Sequence, residues 1–176
     1  MVIVVSFRLS YILKNKEKIV LYKELLMLSF SIYILCLFQV VTFQDDASWA
    51  TNNFIPFKEN LRYNMTSRLF FKNVVGNMLM FLPFGFFISY YLKNTKPFLT
   101  LFLTIVASVS IEVVQMSIGR VFDVDDIILY VIGGMIGYLG YFILVKIGEK
   151  TPKVLKSEWF LNILSVIILI GLITLL

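Results

Sequence analysis

Five long apolar runs, separated by short polar breaks, set the pattern of this chain. They extend roughly from Tyr22 to Phe43, Val74 to Leu92, Pro97 to Ile118, Ile127 to Ile147 and Trp159 to Leu176. Each is long enough, or nearly so, to cross about 30 Å of hydrocarbon at about 1.5 Å of rise per residue. The breaks carry helix-ending chemistry. Lys93, Asn94, Thr95 and Lys96 close one run. Pro97 suits the first turn of the next helix, where its missing N–H leaves no bond unmade. Gly119 can adopt the left-handed conformation that caps a helix C-terminus. A lysine-rich linker around Thr151 and Pro152 separates the last two runs.

Residues 1–13 are apolar but too short to span, and Arg8 interrupts them. They lack a basic leading region and an Ala-x-Ala site, so they predict an interfacial segment, not a cleaved signal. Between Gln44 and Lys72, Leu61, Met65 and Leu69 recur every four residues. This predicts a short helix on the membrane surface. Trp49, Phe54 and Phe57 suit the headgroup region. The expected fold is an all-α, polytopic membrane helix bundle of about five transmembrane helices. It forms a single membrane domain over 1–176, ending in a transmembrane helix at 159–176.

Composition supports this. Of 176 residues, 59% are hydrophobic and 15% charged, and the mean hydropathy is +0.87, outside the soluble range. The absence of histidine excludes HExxH zinc sites, Ser-His-Asp triads and Cys-His dyads. Cys36 stands alone, so no intrachain disulfide forms. The net charge of +5 fits cytoplasmic loops beside anionic lipid better than nucleic acid. With a cytoplasmic N-terminus, the basic residues inside are Arg8, Lys14, Lys16, Lys18, Lys23, Lys93, Lys96, Lys146, Lys150, Lys153 and Lys156. Those outside are Lys58, Arg62, Arg68, Lys72 and Arg120. This asymmetry predicts a multi-pass protein of the cell membrane with its N-terminus inside and its C-terminus outside.

The threading gathers polar residues at one end of three helices: Asn73 and Asn77, Glu112 and Gln115, then Arg120, Asp123 and Asp126. Ionisable groups in hydrocarbon are costly and usually mark function or a specific packing contact. Glu112 is the candidate acid, base or ligand-orienting charge; its structural alternative is a bond to Arg120 or Asn77 that locks the bundle. Gln115, one turn on, serves either as amide glue or as a ligand contact. Arg120 favours a helix C-terminus and also suits a lipid phosphate. Asp123, Asp125 and Asp126 fit the start of the fourth helix, where acids cap free N–H groups; for Asp125 capping is the preferred reading. Asn73 reads as a cap of the second helix. Pro83 and Gly85 predict a kink that admits a close neighbour. Gly133, Gly134, Gly137 and Gly140 predict a packing stripe.

Four of these pieces, in order, resemble the VanZ-like family over residues 53–141. They are Asn53 to Phe57 (NFIPF), Gly76 to Gly85 (GNMLMFLPFG), Glu112 to Gln115 (EVVQ), and Asp123 to Asp126 (DVDD) followed by Gly133 and Gly134. The family pattern usually places Asn where this chain has Tyr130. The resemblance implies an envelope protein with reduced susceptibility to teicoplanin-type glycopeptides, whose target lies outside the cytoplasmic membrane. It does not supply a reaction.

Two functions follow. In the first, Asn77, Glu112, Gln115, Arg120, Asp123 and Asp126 bind a lipid-linked cell-wall precursor or a glycopeptide at the outer face, beside membrane lipids. In the second, a membrane enzyme modifies a lipid or glycan headgroup. Glu112 is then its acid or base, and Asp123 and Asp126 are candidate ligands for Mg²⁺, Mn²⁺ or Ca²⁺. Cofactor and reaction stay open. Transport is disfavoured, because no comparable charge lies on the inner half of any helix.

Overall fold

The computed structural model describes residues 2–15, 18–43, 52–57, 67–93, 96–150 and 157–174. Six helical segments account for most of them: α1 (Val2–Asn15), α2 (Leu21–Phe43), α3 (Arg68–Leu92), α4 (Pro97–Ser117), α5 (Val124–Lys150) and α6 (Glu158–Thr174). Four stretches are long and apolar enough to cross a membrane: Leu21–Val40, Arg68–Leu92, Pro97–Ser117 and Val124–Ile147. A shorter apolar helix covers Glu158–Ile170. The protein is therefore a helical multi-pass membrane bundle.

Two of the helices start three or more residues before their apolar runs. α3 begins at Arg68, six residues before Val74, so Leu69 belongs to this helix. The expected surface helix at Leu61 and Met65 lies outside the described residues. Ser67 caps α3, its hydroxyl accepting the Phe70 N–H at 3.1 Å. The turn from Phe71 to Val75 is π-helical. Asn73 therefore lies within the helix and is not its cap. α5 begins at Val124, so Asp125 and Asp126 lie in its first turn. Pro97 occupies the first turn of α4, and Lys93 ends α3 in the left-handed conformation.

The chain forms two compact units, Met1–Leu37 with Gly148–Leu176, and Phe38–Ile147. In the first, the Arg8 guanidinium grips Glu24 with a two-pronged contact, Nε to Oε2 at 3.0 Å and Nη2 to Oε1 at 2.8 Å. This pair ties α1 to α2, and Arg8 also lies over the Tyr11 ring. The charge that interrupts the apolar N-terminal run thus has a partner across the helix pair.

In the second unit, α3 and α5 meet backbone to backbone. A Cβ built on Gly85 would lie 1.8 Å from the Gly134 carbonyl oxygen. One on Gly133 would lie 2.0 Å from the Met78 oxygen, and one on Gly137 would lie 2.0 Å from the Leu82 oxygen. Gly133 and Gly137 thus face two carbonyls one turn apart on α3, the close approach that small residues permit in membranes. Gly140 has open space around its Cβ position and takes no part in this contact. Pro83 lies inside α3. It has no N–H for the Leu79 carbonyl, which loosens the helix beside the glycine contact.

α4 is polar on its buried face. Thr100, Thr104, Ser108, Glu112 and Gln115 are buried, while Phe102, Ile105, Val106, Val109, Val113 and Met116 are exposed. Lipid tails are as apolar as valine, so nothing drives valine inward, whereas polar groups must find partners within the protein. Thr104 and Ser108 donate to the carbonyls one turn back, at 2.7 and 2.6 Å. The hydroxyls of Ser89 and Thr100 lie 3.0 Å apart and join α3 to α4.

Candidate functional site

The site begins where α4 stops. Gly119 has φ +85°. Its N–H bonds the Met116 oxygen at 3.2 Å, and the Arg120 N–H bonds the Gln115 oxygen at 3.0 Å. This pair of crossed bonds is the Schellman cap, which needs a residue tolerant of positive φ. The cap reverses the chain, so that the Asp123 N–H returns to Glu112 and donates to its Oε2 at 2.9 Å. Asp123 then caps α5. Its Oδ1 accepts the Asp125 N–H at 2.9 Å and also the Asn53 side-chain amide at 2.8 Å.

The second bond brings in a segment far away in sequence. Residues 52–57 run beside residues 122–124 and form an isolated parallel bridge between Asn53 and Asp123. The Asn53 N–H donates to the Phe122 oxygen at 2.8 Å, and the Val124 N–H donates to the Asn53 oxygen at 3.1 Å. The Asn52 side chain accepts the Phe122 N–H at 3.0 Å. Asn53 Oδ1 accepts the Ile55 N–H at 3.2 Å, a turn typical of Asn. Phe54 stacks on Phe122, with ring centroids 5.4 Å apart. Phe57 has φ +65°, an uncommon conformation for a bulky residue. Its N–H donates to the buried Asp125 carboxylate.

On the other side, α3 contributes Asn77, whose amide donates to Asp126 Oδ1 at 2.6 Å. Glu112 is therefore not bonded to Asn77. Its hydrogen bond comes from the Asp123 backbone, and Arg120 acts on it through charge, as do Asp123 and Asp126. Glu112 is fully buried, and among the described residues its Oε1 has no hydrogen-bond partner. Below it, Tyr130 is buried and stacked on Phe81, centroids 4.5 Å apart. The phenol at this position is packed as part of the aromatic core and also lies within electrostatic reach of Glu112 and Asp126.

Of the residues expected from sequence, Asn77, Glu112, Asp123 and Asp126 join through these bonds, and Gln115 is buried with its carbonyl closing the helix cap. Asp125 lies in the first turn of α5 behind Asp123, which is the residue that caps it, and its carboxylate anchors the loop at Phe57. Sequence reading noted Asn53 only as part of a motif and missed its place in the site. It also missed the buried hydroxyls of α4, although the spacing of Thr100, Thr104, Ser108 and Glu112, four residues apart, was there to be read. Among the described residues no three or more His, Cys, Asp or Glu converge on a metal-binding position. Asp123 and Asp126 commit Oδ1 to side-chain amides instead. The chemistry available is hydrogen-bond acceptance by buried carboxylates.

A VanZ/LLP1 family model matches residues 30–145, which includes every residue of this site. No curated protein and no solved structure matches the chain. The match covers most of the sequence, and the chain belongs to the VanZ/LLP1 family.

Proposed function

We propose that this VanZ/LLP1-family membrane protein resides in the bacterial cell envelope and binds a polar ligand at its outer face, lowering susceptibility to teicoplanin-type glycopeptides. The ligand is a lipid-linked cell-wall precursor or the glycopeptide itself. One observation carries the reading: Glu112 belongs to a hydrogen-bonded cluster drawn from four segments, and its buried Oε1 is left unmatched among the described residues. A purely structural carboxylate would have both oxygens satisfied, because an unmatched buried acceptor destabilises by about 1–3 kcal/mol. The residues assigned to the ligand are Asn77, Glu112, Gln115, Arg120, Asp123 and Asp126. The enzymatic alternative, with a metal on Asp123 and Asp126, has less support because both carboxylates already hold amides.

Glu112→Gln tests the reading. The amide keeps the shape and still accepts the Asp123 N–H through its oxygen, so the variant is expected to insert at normal abundance. Glycopeptide susceptibility of a host making it should return to that of a host without the protein. Resistance equal to wild type at equal membrane abundance would make the cluster structural.

The outer-face assignment rests on the basic-residue asymmetry. Single cysteines replacing Lys96 or Lys153 are expected to resist an impermeant maleimide in intact cells, while one replacing Asp46 reacts. The reverse pattern would put the site in the cytoplasm and remove the glycopeptide reading with it.

A further inference from the structure

The charge and bonding of the site go further and indicate what kind of group it takes; this step rests on the ligand-binding reading above. We infer that the ligand is an amphiphile bearing an ammonium with N–H donors, which sits against Glu112 Oε1 while its chain lies on the Phe54–Phe57 loop.

Three observations lead there. First, the site is acidic. Glu112 lies within electrostatic reach of Asp123 and Asp126, Asp126 within reach of Asp123 and Asp125, and Arg120 bears on both Glu112 and Asp126. Glu112 and Asp126 are held by neutral donors, a backbone N–H and the Asn77 amide. Among the described residues neither carboxyl has a bonded cation. Among the described residues, an anionic headgroup entering here would meet several carboxyl groups and the Arg120 guanidinium, and like charges at short range in a poorly hydrated site repel strongly.

Second, the unmatched atom is an acceptor. Glu112 Oε1 is buried without a partner among the described residues. A carboxylate or phosphodiester oxygen brings no donor to it, and a phosphate monoester brings only a P–OH with negative charge beside it. A primary ammonium offers three N–H donors and a positive charge, so it supplies both missing elements at once. A quaternary ammonium supplies only the charge.

Third, the loop beside the cluster is apolar at its surface. Phe54, Ile55 and Phe57 are 64%, 61% and 54% exposed. They sit on the segment that Asp123 and Asp125 pin in place. Holding three large apolar side chains outward at the end of the helices favours an alkyl chain alongside them. A small free amine would make no use of that surface.

The experiment uses the full chain in a neutral maltoside detergent. Thermal unfolding is followed at pH 7 with four C12 probes: dodecylammonium, dodecyltrimethylammonium, dodecyl phosphate and dodecanol. Their shared chain cancels general detergent effects. Dodecylammonium is expected to raise Tm by about 3 °C or more relative to dodecanol, as mass action requires for a ligand in excess of its Kd. The trimethyl analogue should give less than half of that rise, and dodecyl phosphate none. In Glu112→Gln the rise should vanish, and in Asp126→Asn it should shrink; if the first variant fails to fold, the second and the probe ranking on wild type still decide. Methylammonium at the same concentration is expected to give no shift, and nanodiscs of phosphatidylethanolamine should stabilise the protein more than those of phosphatidylglycerol. A methylammonium shift equal to that of dodecylammonium would overturn the amphiphile, and equal rises from the primary and quaternary probes would overturn the donor role. A Glu112-dependent rise with dodecyl phosphate alone would overturn the ammonium yet keep the ligand site. No Glu112-dependent rise with any probe would overturn the inference, and the susceptibility test would then decide whether the site itself stands.

Discussion

Gly85→Ala is expected to unfold this bundle at a markedly lower temperature, although it adds one methyl group and raises intrinsic helix propensity. The new Cβ would lie 1.8 Å from the Gly134 carbonyl oxygen, with the carbonyl carbon at 2.6 Å. The obstacle is backbone, not the end of a flexible side chain, so no rotamer change relieves it. α3 and α5 would have to separate along their length. That would also open the contacts of Gly133 and Gly137 with Met78 and Leu82. Overpacking of this kind destabilises by about 3 kcal/mol, or about 6–12 °C in Tm for a chain of this size. Gly137→Leu is expected to be worse and to lower expression outright. Gly140→Ala provides the comparison within the same helix. Nothing lies near its Cβ position, and alanine is the better helix former by about 1 kcal/mol. It should leave Tm unchanged or raise it. Equal Tm values for the Gly85 and Gly140 variants in detergent would contradict the backbone contact.

Asp123→Ala should release the loop at residues 52–57 while Asp123→Asn retains it. Asp123 Oδ1 accepts two N–H groups, from Asn53 Nδ2 and from the Asp125 backbone. Alanine removes both. Loss of the helix cap destabilises by about 1 kcal/mol, and the stranded amide of the buried Asn53 adds about 1–3 kcal/mol. Asparagine keeps an Oδ1 and can accept both bonds. Amide exchange of Asn53, Ile55 and Val124 is therefore expected to quicken by about 10²-fold in the alanine variant, and by less than about tenfold in the asparagine variant. Unchanged exchange in Asp123→Ala would mean that the backbone bridge alone holds the loop. If the site acts as proposed, the two variants also separate geometry from charge. Asp123→Ala would lose resistance through loop release, and Asp123→Asn only so far as the charge itself is needed.

The division between sequence and tertiary structure follows from the range of the forces involved. Apolar runs long enough to span, the proline at the start of α4 and the glycine at its end are local signals, and they placed the helices to within a few residues. The exceptions were the starts of α3 and α5. There the helix runs past the apolar stretch, because Ser67 and Asp123 supply caps that hydropathy does not register. The Gly133–Gly137 pair was readable for the same reason, since two glycines one turn apart fix a face. Gly140 showed the limit: its spacing is right, yet among the described residues nothing lies within 4 Å of its Cβ position. The membership of Glu112, Asn77, Asp123 and Asp126 in one cluster was legible from threading alone, because each lies near the same end of its helix. Their bonding was not. The bridge between Asn53 and Asp123 spans seventy residues, and the pairing of Asn77 with Asp126 rather than Glu112 turns on ångström-scale placement that no periodicity encodes. Hydropathy along the chain is enough to bring these residues to the same end of the bundle. Which carboxylate oxygen is satisfied and which is left open depends on directional hydrogen bonds a few ångströms long, and only the packed helices and the loop laid across them determine those.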